Sequence, residues 1–239
     1  MTRLNKKVII RQQFGNTIKN KGEVSVLPNI EISKQAIKRI PVYLHYLKEQ
    51  KKNGSTIISA PFVASALNLN EVQVRKDFAA ISTNRGRPKT GFNIDELIEN
   101  MEALVGYNNT NEAILVGAGS LGKALLSYRG FEDYGLNIIA AFDSDEKSIG
   151  NIIGGKPILA LSEIGNFCKA NKVNIGVITV PAQAAQEVCD ILVESGIRAV
   201  WNFAPANLNV HEGILVQNEN MAASLALLSK HLREQIKKQ

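Results

Sequence analysis

The apolar positions of the chain fall into two regimes. Up to about residue 106 they recur at helical spacing, and beyond it strand-like and helix-like runs alternate. Ile37, Ile40, Leu44 and Leu47 make one helical stripe, with Ser33 as N-cap and Asn53-Gly54 as its stop. Pro41 falls inside that stripe and predicts a kink, or a helix that begins in earnest there. Ser59 caps a short second helix over 60–67, and Asn68-Leu69-Asn70 makes a tight connection. Asn70 then caps a third helix over 71–81. Residues 84–92 read as a hairpin-like loop, and 95–106 as a linking helix with Leu97, Met101, Leu104 and Val105 apolar.

After Asn108-Asn109 the pattern changes. Residues 113–116 are a continuous apolar run of strand length, and 137–142 form a second strand. Helix over 161–170, strand over 174–180, helix over 182–194, strand over 197–203 and a short strand over 213–216 follow. Such alternation predicts a parallel sheet of Rossmann type. The chain closes on a helix whose Met221, Leu225, Leu228 and Leu232 form an apolar stripe, flanked by Ala222 and Leu227. That stripe must be buried, on the chain's own sheet or on a partner subunit.

Charge adds a partner. Residues 1–90 hold 17 Lys and Arg against 5 Asp and Glu, whereas 91–239 hold 11 against 17. A basic first half and an acidic second half point to nucleic acid as the partner of the first. The second and third helices have helix-turn-helix spacing. On the third, Val74, Phe78 and Ile81 share one side, Lys76 lies nearly opposite, and Gln73 and Arg75 flank it. These donors suit phosphate oxygens and base edges. Arg85, Arg87 and Lys89 in the following loop read as a wing on the DNA backbone, and Ser59 at the second helix start completes the candidate DNA-binding set.

The second half carries Gly117-Ala118-Gly119-Ser120-Leu121-Gly122 between a strand and a helix. This is the dinucleotide fingerprint in its strand–turn–helix context. The glycines permit the tight turn, the approach of the pyrophosphate and close helix–strand packing. The helix N-terminus adds free N–H groups for the phosphates. Asp143 ends the second strand at the offset expected for the ribose-binding acid, with Asp145 as its rival, and a carboxylate there favours NAD(H) over NADP(H). Val180, Pro181 and Phe203, near strand carboxyl ends, are expected pocket walls. Cys168 and Cys189 read as buried thiols, and no metal site is expected. No apolar run spans a bilayer and no secretory leader is recognisable, so the expected location is the cytoplasm.

Taken in order, several stretches resemble the Rex family of redox-sensing transcriptional repressors. They are Arg39-Ile40-Pro41-Val42-Tyr43, Gln73-Val74-Arg75-Lys76-Asp77-Phe78, residues 117–125, Phe142-Asp143-Ser144-Asp145, Ile149-Gly150, residues 180–186 and Asn202-Phe203-Ala204-Pro205. The resemblance implies a homodimer with exchanged C-terminal helices that binds a palindromic operator on double-stranded DNA. It implies release when NADH binds, with NAD+ competing for the site. It further implies an interdomain switch of an Arg, a Tyr and an Asp, mapped to Arg39, Tyr128 and Asn220, so that the third position lacks the carboxylate. The wing departs from the family pattern. The expected fold is α/β, with a basic extension (1–31), a winged helix-turn-helix domain (32–94), a Rossmann-type NAD(H) domain (95–217) and a dimerisation helix (218–239).

Two other functions compete. One is an enzyme, either an NAD-dependent dehydrogenase or a relative of the CoA-binding half of acyl-CoA ligases. A dehydrogenase needs a general acid or base near the hydride-accepting carbon. His211 and His231, the histidines after the fingerprint, do not end strands facing the expected pocket, and no catalytic residue is assigned. The other is a constitutive DNA-binding dimer with a vestigial nucleotide site, against which the intact glycines and Asp143 stand.

Overall fold

The computed structural model describes residues 32–83, 91–109 and 111–237. The chain divides into two compact units, Met1–Asn108 and Asn109–Gln239. In the first unit, α1 (Lys34–Lys52) is capped by Ser33, whose hydroxyl accepts the Ala36 N–H at 3.2 Å. The helix runs unbroken through Pro41 instead of starting there. The cap fixes its first turn, and Ala36 and Ile40 bury that turn in the core, which offsets the donor that proline removes. Strand β1 (Ile57–Ile58) leads to α2 (Ala60–Ala66) and α3 (Glu71–Ile81), capped by Ser59 and Asn70 as the sequence predicts. Strand β2 (Phe92–Asn93) pairs antiparallel with β1, Ile57 opposite Asn93 and Ile58 opposite Phe92. It thereby anchors the far end of the expected wing, whose basic residues 85, 87 and 89 lie outside the described residues.

Helix α4 (Ile94–Val105) belongs to this first unit rather than to the nucleotide domain or a free linker. Ile94, Leu97 and Met101 are fully buried in the same core as Tyr43, Phe78 and Ile81. The domain boundary is therefore at Asn108 and not before Asp95. Edge-on ring contacts of Phe78 with Tyr43 and with Phe92, at centroid distances of 5.2 and 5.4 Å, tie α3 to α1 and to β2. Each such pair contributes about 0.5–1.5 kcal/mol beyond burial.

In the second unit the strands are β3 (Asn111–Val116), β4 (Leu136–Asp143), β5 (Ile152–Ile153), β6 (Lys156–Ala160), β7 (Ile175–Ile178), β8 (Ala199–Asn202) and β9 (Leu215–Asn218). They form one sheet in the order β5-β6-β4-β3-β7-β8-β9, parallel throughout except for β5 on β6. The order reverses between β3 and β7, and that switch point is where such sheets bind ligands. Helices α5 (Ser120–Ser127), α6 (Ile164–Asn171) and α7 (Ala185–Glu194) connect the strands. Two expected helices open differently from prediction, since residues 161–163 and 182–184 are 3-10 turns. Strands β5 and β6 lie in a glycine-bearing stretch without a helical or strand period. The final helix, α8 (Met221–Ile236), has no buried residue.

Candidate functional site

At the switch point a cleft of about 640 Å³ opens beside the carboxyl ends of β3, β4 and β7. The fingerprint builds its floor. Gly117 sits at φ +102°, a conformation that costs glycine nothing, and a Cβ there would lie 2.8 Å from Val180. Gly122 packs so tightly against this turn that a Cβ would meet the Gly117 carbonyl at 1.9 Å. Gly119, by contrast, faces open space. It is the cap residue of α5 and no side chain occupies the helix start, so the first N–H groups of α5 are available to an anion.

Two polar side chains hold the turn. The Thr179 hydroxyl lies 2.7 Å from the Gly117 carbonyl and 3.0 Å from that of Val116. Asp143 accepts the Ala118 N–H at 2.6 Å through one carboxylate oxygen and the Asp145 N–H at 2.9 Å through the other. Asp145 instead closes the next turn by accepting from the Lys147 N–H and the Ser148 hydroxyl. Both acids line the cleft, and Asp143 is the one bonded to the glycine turn.

Of the expected nucleotide residues, Gly117, Ala118, Gly119, Ser120, Asp143, Val180 and Pro181 line this cleft. Gly122 shapes it from behind, and Leu121 is half-buried outside its wall. Phe203 is not part of the wall. Strand β8 ends at Asn202, and the pleat turns Phe203 to the same side as Trp201, whose ring it meets at a tilt with centroids 4.8 Å apart. Thr179, Lys123 and Glu187 are lining residues that the sequence reading passed over. Thr179 was hidden because β7 ends two residues earlier than its apolar run suggests. Both cysteines are buried, and burial pushes their thiols above the ordinary range. Among the described residues, no group of three or more His, Cys, Asp or Glu is placed to hold a metal ion, and no helix is long and apolar enough to cross a membrane.

In the first unit, Lys76 and Arg75 are exposed on α3, and Arg75 pairs with Glu71 one turn back. Exposed pairs of this kind are weak, about 0.3–0.5 kcal/mol, and exchange readily for a phosphate. Gln73 is half-buried and donates to Asp77 at 2.9 Å. Ser59 is exposed, and its hydroxyl accepts the Phe62 N–H at 3.3 Å.

The three expected switch residues are placed as follows. The guanidinium of Arg39 is committed within its own unit, with Nε 2.7 Å and Nη2 3.0 Å from the Asp77 carboxylate. That hydrogen-bonded pairing raises its pKa further. Tyr128 is about half exposed and stacks edge-on against Phe131 at 4.9 Å. Asn220 is the N-cap of α8 and accepts the Ala223 N–H at 2.9 Å.

Comparison with known proteins matches both halves. Residues 31–79 fit the family described as "Putative DNA-binding protein N-terminus", and residues 108–206 fit the "CoA binding domain" family. The chain is 38% identical over 193 residues to the redox-sensing transcriptional repressor Rex of Treponema denticola, covering 81% of this chain and 91% of that protein. It is similar to the crystal structure of RSP in complex with β-NAD+ and operator DNA, with a TM-score of 0.78, 32% identity and coverage of 87% of this chain and 96% of the other. The complex of RSP with β-NADH matches with a TM-score of 0.74, 32% identity and coverage of 87% and 98%. A helix-turn-helix unit, a fingerprint cleft with its acid in place, and relatives at this identity over most of their length together place the chain in the Rex family of redox-sensing transcriptional repressors.

Proposed function

We propose that this chain is a cytoplasmic transcriptional repressor that binds operator DNA as a homodimer and leaves it when NADH occupies the cleft. The observation that carries the reading is one chain holding both a basic, exposed face on α3 and a glycine-floored cleft whose Asp143 can receive ribose hydroxyls. Arg75 and Lys76 on α3, Ser59 and the basic loop residues Arg85, Arg87 and Lys89 supply phosphate and base contacts. The first N–H groups of α5 take the pyrophosphate. Lys123, at the cleft mouth, adds a positive charge for it. The Asp143 carboxylate repels a 2′-phosphate, so NAD(H) is the ligand class rather than NADP(H). Arg39, Tyr128 and Asn220 are the residues through which ligand state is passed on, and Asp77 holds the Arg39 guanidinium on its own unit.

The test is a titration of the protein bound to a palindromic duplex, with NADH in one arm and NAD+ in the other. Release by NADH at concentrations where NAD+ leaves the complex intact supports the sensor. DNA binding indifferent to saturating NADH overturns it.

A further inference from the structure

Gln73 is not free to turn. Asp77, one helical turn along α3, is 4% exposed. Its carboxylate accepts from Arg39 Nε at 2.7 Å, Arg39 Nη2 at 3.0 Å, the Tyr43 hydroxyl at 2.8 Å and Gln73 Nε2 at 2.9 Å. An ionised carboxylate has room for about four donors and donates nothing itself. Its acceptor sites are therefore full. The same chemistry settles which end of the Gln73 amide faces inward, because its carbonyl oxygen would repel a carboxylate oxygen. The NH2 group faces Asp77, and Oε1 is turned away. What remains free is one N–H and one carbonyl oxygen.

We propose that Asp77 is a positioning residue that makes Gln73 a reader of adenine, and not of guanine, in the operator half-site. This rests on the reading of α3 as the helix that enters the major groove. Adenine presents an acceptor, N7, beside a donor, the N6 amino group, and guanine presents two acceptors, N7 and O6. A glutamine with both N–H groups free can bridge the two guanine acceptors. Once one N–H is given to Asp77, only the adenine-complementary edge is left. Arg39 and Tyr43 hold Asp77 from α1, and the guanidinium neutralises a carboxylate that would otherwise be buried as an unpaired charge.

The experiment uses the full-length protein and a palindromic duplex that the protein itself selects from a randomised pool. Each adenine of the half-site is replaced in turn by guanine on the same strand, and Kd is read at fixed salt. At one position the wild type discriminates by roughly 5- to 150-fold. Gln73→Leu loses that preference and keeps the others. Asp77→Asn turns its amide toward Gln73 Oε1, frees both Gln73 N–H groups, and binds the guanine duplex as well as the adenine one. Unchanged discrimination in Asp77→Asn overturns the proposal. If Asp77→Asn does not fold, the wild type is read by NMR with 15N-glutamine. One side-chain proton that exchanges slowly in the free protein, and disappears in Gln73→Leu, supports the hydrogen bond. Fast exchange of both Gln73 protons overturns it. Should Gln73→Leu keep wild-type base preference while Arg75→Ala and Lys76→Ala abolish binding, α3 still reads DNA and the proposal alone falls. Should no change on α3 affect DNA binding, the reading of the helix falls first and takes the proposal with it.

Discussion

The carboxylate of Asp143 accepts the backbone N–H of Ala118 at 2.6 Å, joining the end of β4 to the glycine turn that follows β3. One side chain thus both shapes the turn and faces the cleft. In Asp143→Asn a single acceptor oxygen remains for the Ala118 and Asp145 N–H groups, and one of them meets an amide NH2. NADH affinity is expected to fall by about 1.5–3 kcal/mol, the range for a hydrogen bond to a charged group. Discrimination against NADPH is expected to fall with it, because the negative charge is gone. Calorimetric titration with both nucleotides measures the two effects.

The fingerprint glycines separate into two kinds. Gly119→Val meets open space and keeps an allowed backbone (φ −70°), so the protein is expected to melt near the wild-type temperature while NADH binding is lost to a blocked pyrophosphate. Gly122→Val would drive a side chain into the Gly117 carbonyl and detach α5 from the turn, lowering stability as well as binding. Thermal unfolding beside NADH titration distinguishes them, and equal melting temperatures for the two variants would contradict the packing described.

Along α8, Met221, Leu225, Leu228 and Leu232 are each more than half exposed in the single chain. An apolar stripe of this length is expected to be buried in the homodimer. Leu225→Asp with Leu228→Asp should yield monomers or aggregates. A folded dimer in sedimentation of that double variant would exclude α8 from the interface.

Tyr43 is buried against Asp77, and burial first, then the carboxylate, raises its phenol above the ordinary value of 10.0. The unfolded chain ionises this group near pH 10 and the folded chain does so later. Its contribution is therefore intact below about pH 10 and declines above it, by up to about 1.4 kcal/mol per pH unit. Tyr43→Phe should cost about 1–3 kcal/mol at neutral pH, because the carboxylate loses a donor, and should reduce the alkaline loss of stability. Denaturant unfolding at pH 8 and pH 11 compares the slopes.

Much of the cleft was legible because it is local. A strand, a turn that only glycine can make and a helix start lie within ten residues, and Asp143 ends the next strand. The caps Ser33, Ser59 and Asn70 were legible for the same reason. What depends on partners distant in sequence was not. Asp77 sits at helical spacing from Val74 and Ile81, which places a carboxylate toward the core. Only the fold shows that Arg39 and Tyr43 come from 38 and 34 residues away to meet it. Phe203 was misplaced because nearness to a strand's carboxyl end does not say which face a side chain takes, and the pleat sends it to the side of Trp201. Strands β5 and β6 were missed because a two-residue edge strand with Ile152 largely exposed carries no apolar alternation.

Trp201 is the chain's one tryptophan. Its indole N–H donates to Glu219 at 2.9 Å, beside the cap residue of α8, and its ring touches Phe131 and Phe203. The molecule therefore carries its single indole fluorophore at the root of its last helix. Indole emits in the near ultraviolet, where reduced nicotinamide absorbs and oxidised nicotinamide does not. Occupancy by the two redox forms can thus be told apart by energy transfer alone, in the unlabelled protein, while the same emission reports any rearrangement around Glu219.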